Sequence, residues 1–221
     1  MLFKNDRARN SIKATLGTTG IYMLHNTNIQ SFTMNNLPLI IERVAPLWSP
    51  PIGDERFKKF SVEYIVRNNI ADNDYRFQLV DESGRFLAAA FFMRKGDRNC
   101  AEEWFTAASA PFPDNLKKAS DMSRTYLTMM DERTFCLMDR TDIKLSLFVS
   151  IMPGTGSAIL DSLCKQLSNE GWKHLYLWTD CECNWQWYVK HGFALVQKDV
   201  YEPFRHNGSA YETFIFKRAL Q

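Results

Sequence analysis

The sequence predicts an α/β fold, on three observations. Strand and helix patterns interleave along nearly the whole chain, with apolar alternation in some segments and helical spacing in others. A strand pattern runs through a glycine turn directly into an amphipathic helix pattern near residue 154. Composition is that of an ordinary globular protein: 221 residues, 45% apolar, 27 Lys+Arg against 25 Asp+Glu.

In order, Ile29 to Phe32 reads as a short extended piece, followed by an Asn35-Asn36 cap signal. Leu37, Ile40, Ile41 and Val44 follow at helical spacing, and Pro46 with Pro50-Pro51-Ile52-Gly53 is expected to break that helix. A second helix is expected around Phe57, Phe60, Tyr64 and Ile65, ending near Asn68-Asn69. Tyr75 to Val80 and Arg85 to Arg94 read as strands joined by the Gly-containing turn Asp81-Glu82-Ser83-Gly84, a hairpin. The order so far is β-α-α-β-β. From Lys95 to Thr141 an irregular region is expected, with Pro111 and Pro113 in its middle and one helix from Asn115 to about Met130.

The second half reads as a strand Ile143 to Ser150, a helix Ser157 to about Asn169, a strand His174 to Thr179 and a short helix Asn184 to Lys190 that stops at Gly192. Strands Phe193 to Tyr201 and Tyr211 to Lys217 close the chain around an Asn207-Gly208 turn. Alternation puts Ile143, Leu145, Leu147 and Val149 on one face of their strand. The first ~28 residues carry no period and are expected to form a mobile arm. Without that arm and the 47 residues of 95–141, 146 residues remain, so residues 29–221 are expected to form a single domain with an insertion at 95–141.

Several classes are set aside. No run approaches the ~18 apolar residues of a membrane span, and the basic N-terminus lacks the apolar stretch of a signal peptide. A cytoplasmic protein is expected, with five reduced cysteines, no membrane contact and no nucleic-acid partner at a charge of +2. Cys181-Glu182-Cys183 with His191 lacks usual zinc spacing, so no metal is expected.

Two motifs carry chemistry. Ile151-Met152-Pro153-Gly154-Thr155-Gly156-Ser157-Ala158 joins a strand to a helix start, where unpaired N–H groups and the helix dipole favour an anion. A plain tight turn is the competing reading. The pattern is neither a Walker loop, which needs a Lys after the second glycine, nor a dinucleotide fingerprint, which needs a third glycine. Downstream, Asn184 and Tyr188 stand four apart on one face of a short helix. The tyrosine carries a phenol donor and the asparagine an amide. Taken alone, Tyr188 is a core aromatic and Asn184 a helix cap.

Together, Gly154-Thr155-Gly156 and then Asn184, Tyr188, Gly192 and Phe193 resemble the acyl-CoA motif of the GNAT superfamily of N-acetyltransferases over about residues 143–200. The resemblance implies a mixed, mostly antiparallel central sheet with helices on both faces, splayed at the acyl-CoA site. It implies acetyl-CoA as cosubstrate and a primary amine, on a small molecule or a protein, as acceptor. Main-chain N–H groups of Gly154, Thr155, Gly156, Ser157 and Ala158 would hold the pyrophosphate. The backbone of Phe148 and Val149 would pair with the pantetheine arm, Asn184 would help place it, and Tyr188 would protonate the departing thiolate. The chain departs from the family pattern at Ile151, where Gln or Arg is usual, and in a turn about three residues shorter. No Glu or His stands on the strand as a general base, which leaves Asp142 and Asp180 as candidates acting through water. The alternative function is a GNAT-like module that binds acyl-CoA or a protein without turnover. Apolar residues such as Trp104, Phe105, Phe112, Tyr126 and Met130 make the insertion a candidate for acceptor-site wall, homodimer contact or packing.

Overall fold

The computed structural model describes residues 27–205 and 208–221. Nearly all of the expected arm, with His25, His206 and Asn207, lies outside the described residues. Seven strands, β1 (Thr27–Ser31), β2 (Arg76–Asp81), β3 (Phe86–Met93), β4 (Asp142–Ser150), β5 (His174–Asp180), β6 (Ala194–Val200) and β7 (Glu212–Ala219), form one sheet in the order β1-β2-β3-β4-β5-β7-β6. Every neighbouring pair is antiparallel except β4 with β5. Six helices join them: α1 (Leu37–Trp48), α2 (Glu55–Asn68), α3 (Ala101–Ala108), α4 (Asp114–Leu137), α5 (Thr155–Asn169) and α6 (Trp185–Lys190). No helix of the described residues is long and apolar enough to cross a membrane.

Strand β3 is apolar throughout because it is covered on both sides. Its Ala88 and Ala90 pack with Ile159, Leu160, Leu163 and Leu167 of α5, while Ala89 and Phe91 pack with Ile40, Ile41 and Val44 of α1 and Val62 and Val66 of α2. Each buried Leu or Ile contributes roughly 1.5–3 kcal/mol, and the small alanines let the helices lie close to the strand. Asp54 starts α2 by accepting a hydrogen bond from the Phe57 N–H at 2.8 Å.

Three expectations are corrected. Helix α1 continues through Pro46 to Trp48. The proline falls in the final turn, where its missing N–H removes one terminal bond and Ser49 N–H still reaches the Ala45 carbonyl at 3.0 Å. The region 95–141 is mostly helical: α3 was not expected, and α4 runs seven residues past Met130. The polar run Asp131-Glu132-Arg133-Thr134 hides that extension. Thr134 is buried with its hydroxyl donating to the Met130 carbonyl at 2.8 Å, and the Asp131 side chain, 13% exposed, turns inward onto a buried lysine. Finally, Ile143, Leu145, Leu147 and Val149 do not share a face. In the β3–β4 register Leu147 opposes Phe91 and Leu145 opposes Phe92, which leaves Ser146 as the extra residue of a bulge. Ile143 and Leu145 therefore face α5, whereas Leu147 and Val149 face α1 and α2.

Region 95–141 packs on the rest of the described chain. Phe105, Phe112 and Leu127 meet Phe57, Phe60 and Tyr64 of α2. Farther along α4, Tyr126 and Met130 meet Tyr176, Phe204, Tyr211 and Ile215.

Candidate functional site

Strands β4 and β5 pair over only three positions, Asp142 with His174, Ile143 with Leu175 and Lys144 with Tyr176. Beyond them β5 continues along β7 to the pair Asp180 with Thr213, while β4 continues along β3. The sheet is split past Lys144, and among the described residues the β5-facing side of β4 from Leu145 to Ser150 has no strand partner. Phe148 and Val149 both lie on this free stretch.

At the far end of β4 the chain turns into α5. Gly154 is the N-cap residue at φ +84°, a left-handed conformation that glycine adopts without steric cost. Hydroxyls wind the short turn. The Met152 carbonyl accepts from Ser150 Oγ and from Thr155 Oγ1, each at 2.8 Å, and Thr155 is buried. Of the predicted anion-binding groups, Thr155 N–H goes to the Met152 carbonyl and Ala158 N–H to the Gly154 carbonyl. Gly156 and Ser157 lie in the first turn of α5, where no preceding turn supplies an acceptor, so their N–H groups, like that of Gly154 before them, are not taken up by a main-chain hydrogen bond. A methyl on Gly156 would stand 3.4 Å from the Phe148 ring.

Asn184 is the N-cap residue of α6, yet its side chain makes no capping bond and stays exposed. Tyr188, one turn on, packs against Phe193 and Trp187 on the α5 side of the sheet. Burial, and secondarily Cys183, raises its phenol above the ordinary value, so it is a protonated donor at neutral pH. Gly192 ends the helix at φ +81°. The α5 and α6 walls touch across the opening. Phe148 and Trp187 lie 5.3 Å apart between ring centroids, and Ser157 Oγ is 2.9 Å from His191 Nε2. His191 Nδ1 lies 2.7 Å from the Trp187 carbonyl, an acceptor, so Nδ1 carries the proton and Nε2 accepts from Ser157.

On the opposite face, α4 covers the vertex of the split. Lys144 is fully buried and meets Asp131 Oδ1 at 2.6 Å, and Trp178 Nε1 donates to the same oxygen at 2.6 Å. Asp131 thus spans β4 and β5 where they part. Burial pushes the Lys144 ammonium down, and Asp131 opposes that shift. The candidate base Asp180 is buried, with Oδ2 accepting from Tyr126 at 3.1 Å and Tyr211 at 2.8 Å and Oδ1 from the Glu182 N–H at 3.1 Å. Asp142 stands at the paired end, bonded to His174 at 2.8 Å and to the Asp139 N–H at 2.9 Å, about 13 Å along the strand from the bulge. The structure does not bring it to the opening.

Two carboxylates of this face were passed over in sequence. Glu182 lies inside the second motif with no sequence signal that marks it as a base; partial burial and then Asp180 push its carboxyl up to about 7. Asp131 has no local signal. Of the aromatic cluster, Trp178 faces α4 whereas Trp185 and Trp187 pack on the α5 side. All five cysteines are free, and burial pushes the Cys183 thiol up to about 12. Among the described residues no three His, Cys, Asp or Glu side chains are grouped to hold a metal ion.

No family model and no curated protein matches this sequence. Solved structures do. A putative phosphinothricin N-acetyltransferase is 14% identical with a TM-score of 0.50, covering 89% of this chain and 99% of its own. A GCN5-related N-acetyltransferase from Kribbella flavida (13%) and Ard1 from Thermoplasma volcanium (9%) each give a TM-score of 0.50 over 88% of this chain and 98% of theirs. These likenesses run over nearly the whole of each chain, and the chain has the fold of the GNAT N-acetyltransferases, a mixed, mostly antiparallel sheet with helices.

Proposed function

We propose that this chain transfers an acetyl group from acetyl-CoA to a primary amine borne by a small molecule or a protein. What supports the reading is the edge of β4 that β5 leaves unpaired next to the start of α5, with Tyr188 packed on the same α5 side of the sheet. An extended amide chain can add to β4 as a strand would. A pyrophosphate suits the amides of Gly156 and Ser157 at the helix start, and Asn184 has a free amide to meet the pantetheine. Attack of the amine on the thioester carbonyl builds negative charge on oxygen, which a main-chain N–H near the bulge is suited to stabilise. The C–S bond then breaks and the thiolate takes a proton from Tyr188.

Acetyl-CoA at 100 times its Kd should stabilise the chain by about 2.7 kcal/mol, a rise in Tm of roughly 5–10 °C. Tyr188→Phe should keep that shift and lower CoA release in an amine screen by on the order of 10²-fold. Unchanged release would remove Tyr188 from the acid role, and no thermal shift at all would remove the cosubstrate.

One observation favours a second reading, a module that binds acyl-CoA or a protein without turnover: the Phe148–Trp187 contact and the Ser157–His191 hydrogen bond close the two walls on each other. This reading predicts the thermal shift with no CoA release from any amine.

A further inference from the structure

The charged groups on the α4 face are not equivalent. Lys144 and Asp131 neutralise one another. Asp180 is buried and committed to two tyrosine hydroxyls and a main-chain N–H, which hold it in place and occupy both oxygens. Glu182 stands on the loop between β5 and α6, whose ends are bolted down: Cys181 N–H to the Glu212 carbonyl at 2.9 Å and Cys183 N–H to the Asp180 carbonyl at 3.2 Å. Its side chain is accessible and bonded to no described residue, while its main-chain N–H donates to Asp180 Oδ1 at 3.1 Å on the α4 side. Two residues on, the same loop delivers Asn184, and one turn later Tyr188 on the α5 side.

We propose that Glu182 is the group that takes the proton from the attacking amine, and that the amine reaches the thioester from the α4 face as an ammonium ion. This rests on the acetyl-transfer reading above. The groups beside Glu182 are Asp180 from β5, Tyr211 leading into β7 and the adjoining Cys181. Glu212 is paired with Lys198 at 2.6 Å. Among the described residues neither Asp180 nor Glu182 has a cation within ion-pair distance, so an arriving ammonium supplies the missing charge. With its carboxyl raised to about 7, Glu182 can both accept and release a proton near neutrality.

The ammonium gives one proton to Glu182 and its freed lone pair forms the N–C bond. A second N–H proton leaves to solvent as the C–S bond breaks, and the thiolate takes a proton from Tyr188. Tyr188 recovers one from solvent and Glu182 returns one. The net products are the amide, the CoA thiol and one proton.

The test is CoA release by the full chain with acetyl-CoA and 1,4-diaminobutane, benzylamine or aniline as probes. Glu182→Gln should lower kcat/KM for the two alkylamines by on the order of 10²-fold at pH 7 and leave the acetyl-CoA thermal shift in place. It should also erase the rise of kcat/KM through about pH 7. Its deficit should shrink as pH approaches the alkylamine range and should be smaller for aniline, which arrives unprotonated. Glu182→Asp should recover part of the rate. A Glu182→Gln enzyme within about twofold of the parent at pH 7, or a deficit equal at every pH and for every amine, overturns the assignment alone. A parent chain that is stabilised by acetyl-CoA yet releases no CoA with any amine overturns the assignment and the turnover reading together.

Discussion

The α5 face of the opening is built from one stretch of chain, residues 143–193, whose glycine turn, helix start and short helix are shaped by bonds between residues a few positions apart. The α4 face is assembled from α2, α3, α4, β5 and β7, and its polar groups meet over long separations: Tyr126 with Asp180, Trp178 with Asp131, Tyr64 with Glu102. One face presents main-chain donors and a phenol; the other presents carboxylates set in aromatic packing. An anionic cosubstrate suits the first and a cationic acceptor the second. The split between β4 and β5 is the passage between them.

That contrast can be broken from the α4 side first. Lys144→Met or Asp131→Leu alone strands a buried charge and should cost about 3–5 kcal/mol, whereas the double replacement should recover most of it. Urea unfolding midpoints measure both, and equal losses in single and double variants would mean that the pair is not coupled. On the α5 side the two glycines should separate stability from binding. Gly154→Ala forces a side chain into the left-handed region at φ +84° and should cost about 1–2 kcal/mol. Gly156→Ala meets only ordinary contacts and should change stability by less than about 0.5 kcal/mol, yet abolish the acetyl-CoA thermal shift by crowding the helix-start amides. A retained shift in Gly156→Ala would move the anion site elsewhere. The smallest effect belongs to Ser157→Ala, which deletes the hydrogen bond to His191. Stability should fall by about 0.5–1.5 kcal/mol while acetyl-CoA titrates at lower concentration, because the walls part more easily. Weaker binding in titration calorimetry would instead make Ser157 a direct cosubstrate contact.

Legibility followed the range of the interactions. The hairpin at Gly84, the helix stop at Gly192 and the pair Asn184 and Tyr188 were readable because each depends on φ or on spacing within one turn. Pro46 misled because its cost depends on where in the helix it falls. The continuation of α4 past Met130 was hidden because Asp131 turns inward only by virtue of a lysine on β4, and Thr134 is buried only because its hydroxyl folds back on its own helix. Alternation in β4 assumed a regular pleat, and no residue in Leu145-Ser146-Leu147 announces the bulge. Asp142 and Asp180 were plausible bases by type, and their bonding partners are what set them apart from Glu182.

By itself the sequence determined the order of elements outside 95–141, the glycine turn between strand and helix at Gly154 and the short helix that carries Asn184 and Tyr188. These are local matters, fixed by glycine conformations, by apolar periods and by bonds between near neighbours. Where the sheet splits was decided only in three dimensions. All seven residues of β5 pair with β7 and only three of them also pair with β4, and that choice depends on hydrogen-bond partners and side-chain packing dozens of residues away. The same long-range packing set Asp131 across the vertex and left Glu182 unpaired on its loop.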